Sequence, residues 1–293
     1  MPPALLYPLL SVLPVGFVAL VVKAWRWWEE ARSLRVPVME KLLRAPGQLI
    51  RKRKESLDNQ ITDMLIWVLG LPYVLAVCYF AGSRRSTAAP PSIIWAFILV
   101  VAVIFYITRV TKLISLLEER EVKRQEFAGE KAIGEELNRF MCEGCQVFHD
   151  LSFDHKGRID HIVVAPSGVY AVETSVRRKG DPSGRQKPHE VIYDGKGLQF
   201  PGFYDKEHVI QARNQARSLS DFLSRSVGSS VAVKPVLALP GWNVVVKSPG
   251  DVLVLNSKGL RGTILGEAEP SLLAYEIKQI AQHLDAKCRD TEF

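Results

Sequence analysis

Two acidic side chains on neighbouring segments carry the clearest chemistry in this chain. Residues 158–175 combine alternating apolar residues with a Pro166-Ser167-Gly168 turn, which predicts a β-hairpin. A two-residue loop of Pro166 and Ser167 places Asp160 opposite Glu173, with Cβ atoms about 5 Å apart, and a three-residue loop shifts that pairing by one position. Like charges across a ladder are destabilising unless a cation or a shared proton compensates them. The pair therefore predicts a divalent metal site.

The position two residues after the second acid decides what such a site can do. Alternation along the second strand puts Glu173 and Ser175 on the same face. An acid, a second acid and a lysine two residues later form the Asp…Glu-x-Lys core of many metal-dependent nucleases, where the carboxylates hold Mg²⁺ and the lysine acts on water or the phosphodiester. Ser175 cannot supply that positive charge, which is worth about 3 to 4 kcal/mol. Hydrolysis then needs a substitute, for which the sequence offers Arg177, Arg178, Lys179 and Arg213.

Three other segments accompany the hairpin in a fixed order. They are Gly129-Glu130-Lys131-Ala132-Ile133-Gly134-Glu135-Glu136, Val209-Ile210-Gln211-Ala212-Arg213 and Pro235-Val236-Leu237-Ala238-Leu239-Pro240-Gly241-Trp242. Together with the hairpin, they resemble the nuclease-related domain (NERD) family, itself similar to the PD-(D/E)xK nuclease fold. The resemblance covers roughly residues 125 to 265.

This resemblance implies a fold and a set of roles. The fold is α/β, a restriction-endonuclease-like mixed sheet flanked by helices. Asp160 and Glu173 bind Mg²⁺ or Mn²⁺, Glu135 is a third acid near the metal, and Gln211 positions phosphate or water. Position 175 belongs to the catalytic set as the replaced lysine. DNA or RNA is the implied partner.

The remaining pattern supplies the elements that must hold these residues. Helices are predicted around 207–225 and 270–287, and strands near 191–193, 231–239, 243–247 and 251–255 complete one sheet in a domain over 129–293. Charged residues 111–128 predict a helical stalk before that domain.

Three apolar runs precede the stalk, at about 3–22, 64–82 and 92–109. Runs of about 17 to 25 apolar residues are long enough to cross a bilayer as helices. Residues 1–110 are therefore predicted to be a membrane region with three transmembrane α-helices. The first run lacks the basic start of a secretory signal peptide.

Basic residues predict the orientation of these spans. The loop 23–60 carries ten Lys and Arg, whereas the loop after the second run carries only Arg84 and Arg85. Because basic loops stay in the cytoplasm, the amino terminus is predicted outside and the C-terminal domain inside, at the plasma (inner) membrane. Residues 36–57 are predicted to lie along the anionic leaflet as an amphipathic segment.

Charge also bears on nucleic-acid binding. Residues 1–110 carry 13 Lys and Arg against 6 Asp and Glu, while the rest of the chain carries 25 of each, so the net charge of +7 belongs to the membrane region. Binding a polyanion then requires local clustering, for which Arg177, Arg178, Lys179, Arg185 and Lys187 are candidates.

The sequence also contains two minor candidate sites, and it leaves two functions open. Cys142, Cys145 and His149 have half of a zinc-site spacing, with Cys288 as the other candidate ligand, and an ordinary helix end at Gly144 is favoured over zinc. His161 points away from Asp160 by alternation and is expected in the core. The chain is either a membrane-anchored metal-dependent nuclease or a catalytically degenerate domain that binds nucleic acid or signals at the membrane. Its protein partners are unknown.

Overall fold

The computed structural model describes residues 24, 27 and 28 and the ranges 41–83, 92–153, 157–177, 189–266 and 271–290. The α-helices are α1 Gln48–Ser83, α2 Ser92–Asn138, α3 Glu207–Val227, α4 Ser257–Ile264 and α5 Ala274–Lys287, and a 3-10 turn covers Arg139–Glu143. The strands are β1 Leu42–Leu43, β2 Gln146–Phe153, β3 Gly157–Ala165, β4 Gly168–Thr174, β5 Glu190–Tyr193, β6 Leu198–Phe200, β7 Phe203–Asp205, β8 Val233–Ala238, β9 Asn243–Val246, β10 Leu253–Leu255 and β11 Arg289–Asp290.

A five-stranded mixed sheet lies at the centre of the C-terminal region. Its order is β10-β8-β4-β3-β2, with β10, β8 and β4 parallel and β4, β3 and β2 antiparallel. One face packs against α3 and α5 through Leu219 and Ile280, and the other packs against α2 and α4 through Ile133 and Leu260. The expectation of a mixed α/β fold with flanking helices is confirmed.

The expectation of a single sheet is wrong. Strands β7-β6-β5-β9 form a second, four-stranded sheet, and β1 pairs with β11 as a separate ladder. The second sheet contributes Phe200 to a core cluster that also contains Val209 of α3 and Leu237 of β8. Strands of both sheets carry buried apolar residues, so strand periodicity gives no indication of which sheet a strand joins.

Helix α2 begins in the third apolar run and ends in the first helix of the predicted domain. The run, the stalk and that helix are therefore one continuous helix. Its segment contains no proline, and its two glycines allow close packing instead of ending the helix. A Cβ at Gly129 would lie 2.1 Å from a Val176 methyl, and one at Gly134 would lie 2.4 Å from Pro46.

Residues 41–52 belong to the C-terminal region. Among the described residues, 53–122 form one compact unit, and 41–52 together with 123–290 form another. Arg44 pairs with Asp290 at 3.1 Å, and Ile50 is buried. Residues 41–52 are part of the segment predicted to lie on the leaflet. They pack instead within the C-terminal unit, because their apolar residues contact protein there.

The apolar helices form the other unit. Leu57, Ile61 and Leu116 make a small cluster between α1 and α2. Among the described residues, one helical stretch, Leu99–Glu143, is long and apolar enough to cross a membrane by length and composition, and 11% of its apolar window is buried. The predicted run at 3–22 lies outside the described residues, and the run at 64–82 lies in α1. The three spans are therefore not shown.

Candidate functional site

A cleft of about 220 Å³ opens on the C-terminal unit where β3 and β4 meet the start of α3. Its lining combines four carboxylates with two arginines. The lining residues are Ile50, Glu126, Glu130, Arg158, Asp160, Glu173, Thr174, Ser175, Val176, Arg177, His208 and Gln211. The cleft therefore brings together four of the five residues predicted as catalytic, all except Glu135.

The facing carboxylates of the hairpin form as the sequence predicts. Ala165 pairs with Gly168 and His161 with Val172, which is the register of a two-residue loop. That register sets Asp160 next to Glu173, and both side chains are buried. The backbone N–H of Thr174 donates to Asp160 Oδ2 at 2.8 Å, which fixes one acid against the other strand.

Two amides of α3 hold the second acid. Gln211 Nε2 donates to Glu173 Oε1 at 2.6 Å, and Gln215 Nε2 donates to Glu173 Oε2 at 2.6 Å. Gln215 also donates to the Arg158 carbonyl at 2.7 Å. Residues four apart share one helix face, so α3 presents both amides to the sheet. Gln211 thus contacts the acid directly, and sequence reasoning missed Gln215 although it lies one turn beyond Gln211.

Arg158 links three acids at the floor of the cleft. Its guanidinium donates to Asp160 Oδ1 at 2.7 Å and to Asp150 Oδ1 at 2.8 Å, and it pairs with Glu130 as well. Asp150 also accepts from the backbone N–H of Leu49 at 3.3 Å. A buried charge is tolerated only when it is paired and hydrogen-bonded, and this network meets that requirement for Arg158.

The cluster holds more negative charge than Arg158 neutralises. Burial, followed by the charge of Asp160, raises the pKa of Glu173 well above its ordinary value and raises the pKa of Glu130 strongly as well. Burial also raises the pKa of Asp150. Burial lowers the pKa of Arg158, but Asp160, Glu130 and Asp150 raise it further, so that Arg158 stays charged. A buried cluster with excess negative charge favours protons or an added cation.

Glu130 lines the cleft, and the predicted third acid, Glu135, does not. Glu130 is 2% exposed and contacts Arg158, whereas the Glu135 side chain is 63% exposed and lies 3.7 Å from Lys131. The segment contains two Gly-Glu pairs, five residues apart, and the resemblance assigned the acid near the metal to the second pair. Helical phase distinguishes them, because Glu130 shares the face of buried Ile133 and Leu137 and Glu135 does not.

Ser175 lies in the cleft, and no lysine is among the described residues that line it. It is buried, and its N–H donates to the Ala238 carbonyl at 3.0 Å. Arg177 lines the cleft but contacts Asp205 at 3.1 Å and the ring of His208. Arg213 pairs with Asp251 on the surface. Arg178 and Lys179, like Arg185 and Lys187 of the predicted basic cluster, lie outside the described residues.

The carboxylate pair fits Mg²⁺ better than it fits zinc. Among the described residues, no set of three or more His, Cys, Asp or Glu side chains is arranged as ligands around one ion. Mg²⁺ needs only one or two carboxylates, with water and phosphate oxygens completing its shell. Asp160 accepts from Arg158 and Thr174, Glu173 accepts from Gln211 and Gln215, and an ionised carboxylate offers about four lone-pair sites. Oxygen ligands with excess negative charge suit that ion.

The opposite face of β3 holds a neutral histidine pair. Asn138 Oδ1 accepts from His149 Nε2 at 2.9 Å, so His149 Nδ1 accepts from His161 Nδ1 at 2.9 Å. Burial lowers the pKa of His149 to about 4 and that of His161 well below its ordinary value. His161 therefore lies in the core, as alternation predicts. Cys145 is buried beside the 3-10 turn, Cys142 is exposed, and Cys288 lies in another core cluster.

Comparison with protein families agrees with this geometry. Residues 125–240 match the sequence model of the nuclease-related domain, NERD. Residues 125–240 of this chain are therefore similar to the nuclease-related domain. The matched range contains Glu130, Arg158, Asp160, Glu173 and both glutamines that hold Glu173.

Individual proteins add little to this family match. No curated protein matches the chain. Among solved structures, the chain is similar to "The structure of Pyrococcus Furiosus SfsA in complex with Ca2+", with 16% identity and a TM-score of 0.21. That match covers 56% of this chain and 54% of the other, so the chain spans about half the length of its structural neighbour.

Proposed function

We propose that the nuclease-related domain hydrolyses phosphodiesters of DNA or RNA with the help of a divalent metal ion. The observation that carries this proposal is the contact of two buried carboxylates, Asp160 and Glu173, at the floor of an open cleft. A like-charged buried pair costs folding free energy, so a purely structural role explains it poorly. The match of residues 125–240 to the nuclease-related domain supports the same class of function.

The side chains divide the work between holding and positioning. Asp160 and Glu173 would hold Mg²⁺ or Mn²⁺, which supplies Lewis-acid stabilisation of the phosphate oxygens. Gln211 and Gln215 fix the Glu173 carboxylate, and Thr174 fixes Asp160. In the reaction, a water oxygen bonds to phosphorus, the bond from phosphorus to one ester oxygen breaks, and a water proton ends on that leaving oxygen.

The experiment uses the full-length protein in detergent with labelled single- and double-stranded DNA and RNA. We expect cleavage with Mg²⁺ or Mn²⁺ that falls at least about 100-fold in Glu173→Gln, because losing a ligand costs more than losing a residue that only supports one. Glu130→Gln and Glu135→Gln form a matched pair, and only the former should reduce cleavage. Absence of both metal binding and cleavage in the wild type contradicts the proposal.

A second candidate is a degenerate domain that binds nucleic acid or signals without cleaving. Ser175 favours it, because the serine leaves the Glu-x-Lys position uncharged in a buried part of the cleft. Under this alternative, the wild type is inactive and Ser175→Lys gains metal-dependent cleavage. Cleavage by the wild type that disappears in Asp160→Ala rejects it.

We further propose that the domain is anchored in a membrane by three spans, near 3–22, 64–82 and 92–109. Support comes from large apolar side chains that stay exposed on α2, which are Phe97, Leu99, Val100, Val101, Val103, Ile104 and Ile107. Exposed apolar surface of this extent is unusual in a protein surrounded by water. Extraction of the protein from membranes by alkaline carbonate contradicts this anchoring, and retention supports it.

The proposed orientation places the nuclease-related domain in the cytoplasm, at the plasma (inner) membrane. The basic loop between the first two uncharged runs motivates it. Cys142 is an exposed thiol in the C-terminal unit and can report the orientation. A membrane-impermeant thiol reagent should label Cys142 in inverted vesicles and not in intact cells, with Cys142→Ser as the control. Labelling in intact cells reverses the topology.

A further inference from the structure

The positive charge missing at Ser175 has a counterpart on the neighbouring strand. We infer that Arg158 supplies, from β3, the phosphate-facing cation that the Glu-x-Lys arrangement would place on β4. This inference rests on the proposed phosphodiester chemistry, and it names the residue that completes the charge balance of the cleft.

Register places Arg158 at the required position. Continuing the pairing of Ala165 with Gly168 and His161 with Val172, Arg158 falls opposite Ser175. Arg158 and Asp160 are two residues apart on β3 and share one face, as Glu173 and Ser175 do on β4. Both Arg158 and Ser175 line the cleft. A cation at 158 therefore lies across the hairpin from the position of the absent lysine.

The contacts of Arg158 hold it firmly without enclosing it. Its Nη1 and Nη2 groups bind Asp150, Asp160 and Glu130, and its Nε engages none of the described residues. The side chain is 27% exposed. Three acids fix the guanidinium, and Arg158 lines the cleft. Fixed charges stabilise a transition state better than mobile ones, because they need no reorganisation.

Arg158 also lies where two clefts adjoin. A second cleft of about 370 Å³ is lined by Gly157, Glu207, Ile210 and Asn214, and it shares Arg158 and Gln211 with the first. A nucleic-acid strand longer than one nucleotide that runs from one cleft to the other passes the guanidinium. The arrangement fits an extended phosphodiester substrate better than a single phosphate group.

The other described cations in or near the cleft are less suited to the role. The guanidinium of Arg177 binds Asp205 and His208 at the start of α3, and Arg213 pairs with Asp251 outside the cleft. Arg158 is the arginine that contacts the proposed metal ligand Asp160. Because an arginine stays protonated, Arg158 acts on phosphate charge and takes no proton from water.

The test removes the positive charge at residue 158 and restores one at residue 175, across the hairpin. Four full-length proteins are compared, namely wild type, Arg158→Gln, Ser175→Lys and the double variant Arg158→Gln/Ser175→Lys, with Arg213→Gln as a surface-cation control. Fluorescence anisotropy measures the binding of a labelled oligonucleotide in Ca²⁺ over a salt series, and Mn²⁺-dependent cleavage is measured in parallel. Thermal melts report folding.

We expect Arg158→Gln to bind the oligonucleotide about tenfold more weakly than wild type. The dependence of the binding constant on salt concentration should become shallower, by the equivalent of about one phosphate contact. The double variant should regain most of both, and Arg213→Gln should match wild type. Unchanged affinity and salt slope in Arg158→Gln overturn the inference, as does a wild type that binds no oligonucleotide. If Arg158→Gln does not fold, wild-type binding by the double variant supports the inference and absent binding rejects it.

The two readouts separate this inference from the proposed function. A wild type that binds the oligonucleotide but cleaves nothing fails as a hydrolase, and the loss and recovery of binding in the variants still decide the role of Arg158. A wild type that cleaves, with Arg158→Gln equally active and equally tight, keeps the hydrolase and removes Arg158 from it.

Discussion

Strand β3 carries two buried polar clusters on opposite faces, and they solve the cost of burial in different ways. On one face, Asp160 joins a charged cluster that Arg158 only partly neutralises. On the other face, His161 and His149 stay neutral and share one hydrogen bond, and His149 also bonds to Asn138. The acid cluster opens to a cleft and retains excess charge, whereas the histidine pair is sealed in the core. Access together with unbalanced charge distinguishes a candidate site from a structural polar pair.

The largest expected difference between the two clusters is in activity. Asp160→Asn removes a proposed metal ligand, so we expect metal-dependent cleavage to fall at least about 100-fold. His161→Asn, the neighbouring substitution on the opposite face, should retain cleavage at temperatures where it is folded. Cleavage assays paired with thermal melts check both. Equal loss in the two folded variants contradicts the division between the clusters.

The two clusters should also respond to pH with opposite signs. The pKa of His149 is about 4 in the folded state against 6.5 unfolded, so the unfolded chain binds more protons between these values. This group's stabilisation is complete above pH 6.5 and decreases by up to about 3 kcal/mol as pH falls toward 4. Denaturant titrations of wild type and His149→Gln measure it, and equal pH slopes in the two proteins contradict it.

The acid cluster gives the reverse slope. The pKa of Glu173 is raised in the folded state, so its stabilisation is present below the unfolded value of 4.5 and decreases as pH rises. Glu173→Gln keeps the shape of the side chain and removes the titration. The variant should therefore gain stability relative to wild type between pH 4.5 and 8, as measured in the same titrations. A constant difference across that range argues against an excess of negative charge.

Removing a supporting amide from each cluster gives a smaller contrast. Gln215→Ala removes a donor to Glu173, and Asn138→Ala removes the acceptor for His149. Each should cost about 1 to 3 kcal/mol of unfolding free energy, because a buried group loses its partner. Calorimetric titration with Mn²⁺ should show weaker binding only in Gln215→Ala. Equal metal affinity in the two variants contradicts a positioning role for Gln215.

The smallest effect is expected outside both clusters. Arg213→Ala breaks an exposed ion pair with Asp251, which contributes about 0 to 1 kcal/mol. We expect the melting temperature to change little and cleavage to remain at the wild-type rate. A large loss of cleavage shows that Arg213 reaches the substrate and gives it the role that we assign to Arg158.

The hairpin could be predicted from the sequence because its signals are local. Alternating apolar residues and a Pro-Ser-Gly turn fix which side chains face each other over a few residues. Asp160, Glu173 and the position of Ser175 follow from that register alone. The same register contains Arg158, which was overlooked because a replacement cation was expected after the second strand and not before the first acid.

Other parts of the site depend on contacts that leave no local pattern. Choosing Glu130 over Glu135 requires the phase of a helix whose buried face is set by packing partners. Phe127 and Glu130 lie against the turn at Gly47, which has a φ of +71° and leaves no room for a Cβ. Residues 41–52 contribute through Leu49 and Arg44, far from the acids in sequence. Contacts between residues so far apart in sequence leave no local pattern. From the sequence alone, the basic and partly apolar residues 41–52 therefore fit a membrane-surface helix as well as they fit a segment packed against protein.

The β1–β11 ladder has a consequence for biosynthesis. Leu42 pairs with Asp290, and Arg44 bonds to both Asp290 and the Asp150 carbonyl beside the acid cluster. Residues 289–290 must therefore leave the ribosome before residues 41–52 can dock with their last partner. Closing so long a loop has an entropic cost that grows slowly with loop length. The contacts that offset this cost form only when both ends of the loop are available. Docking of residues 41–52 on β11 is thus a late step, which follows the emergence of the described residues that line the cleft.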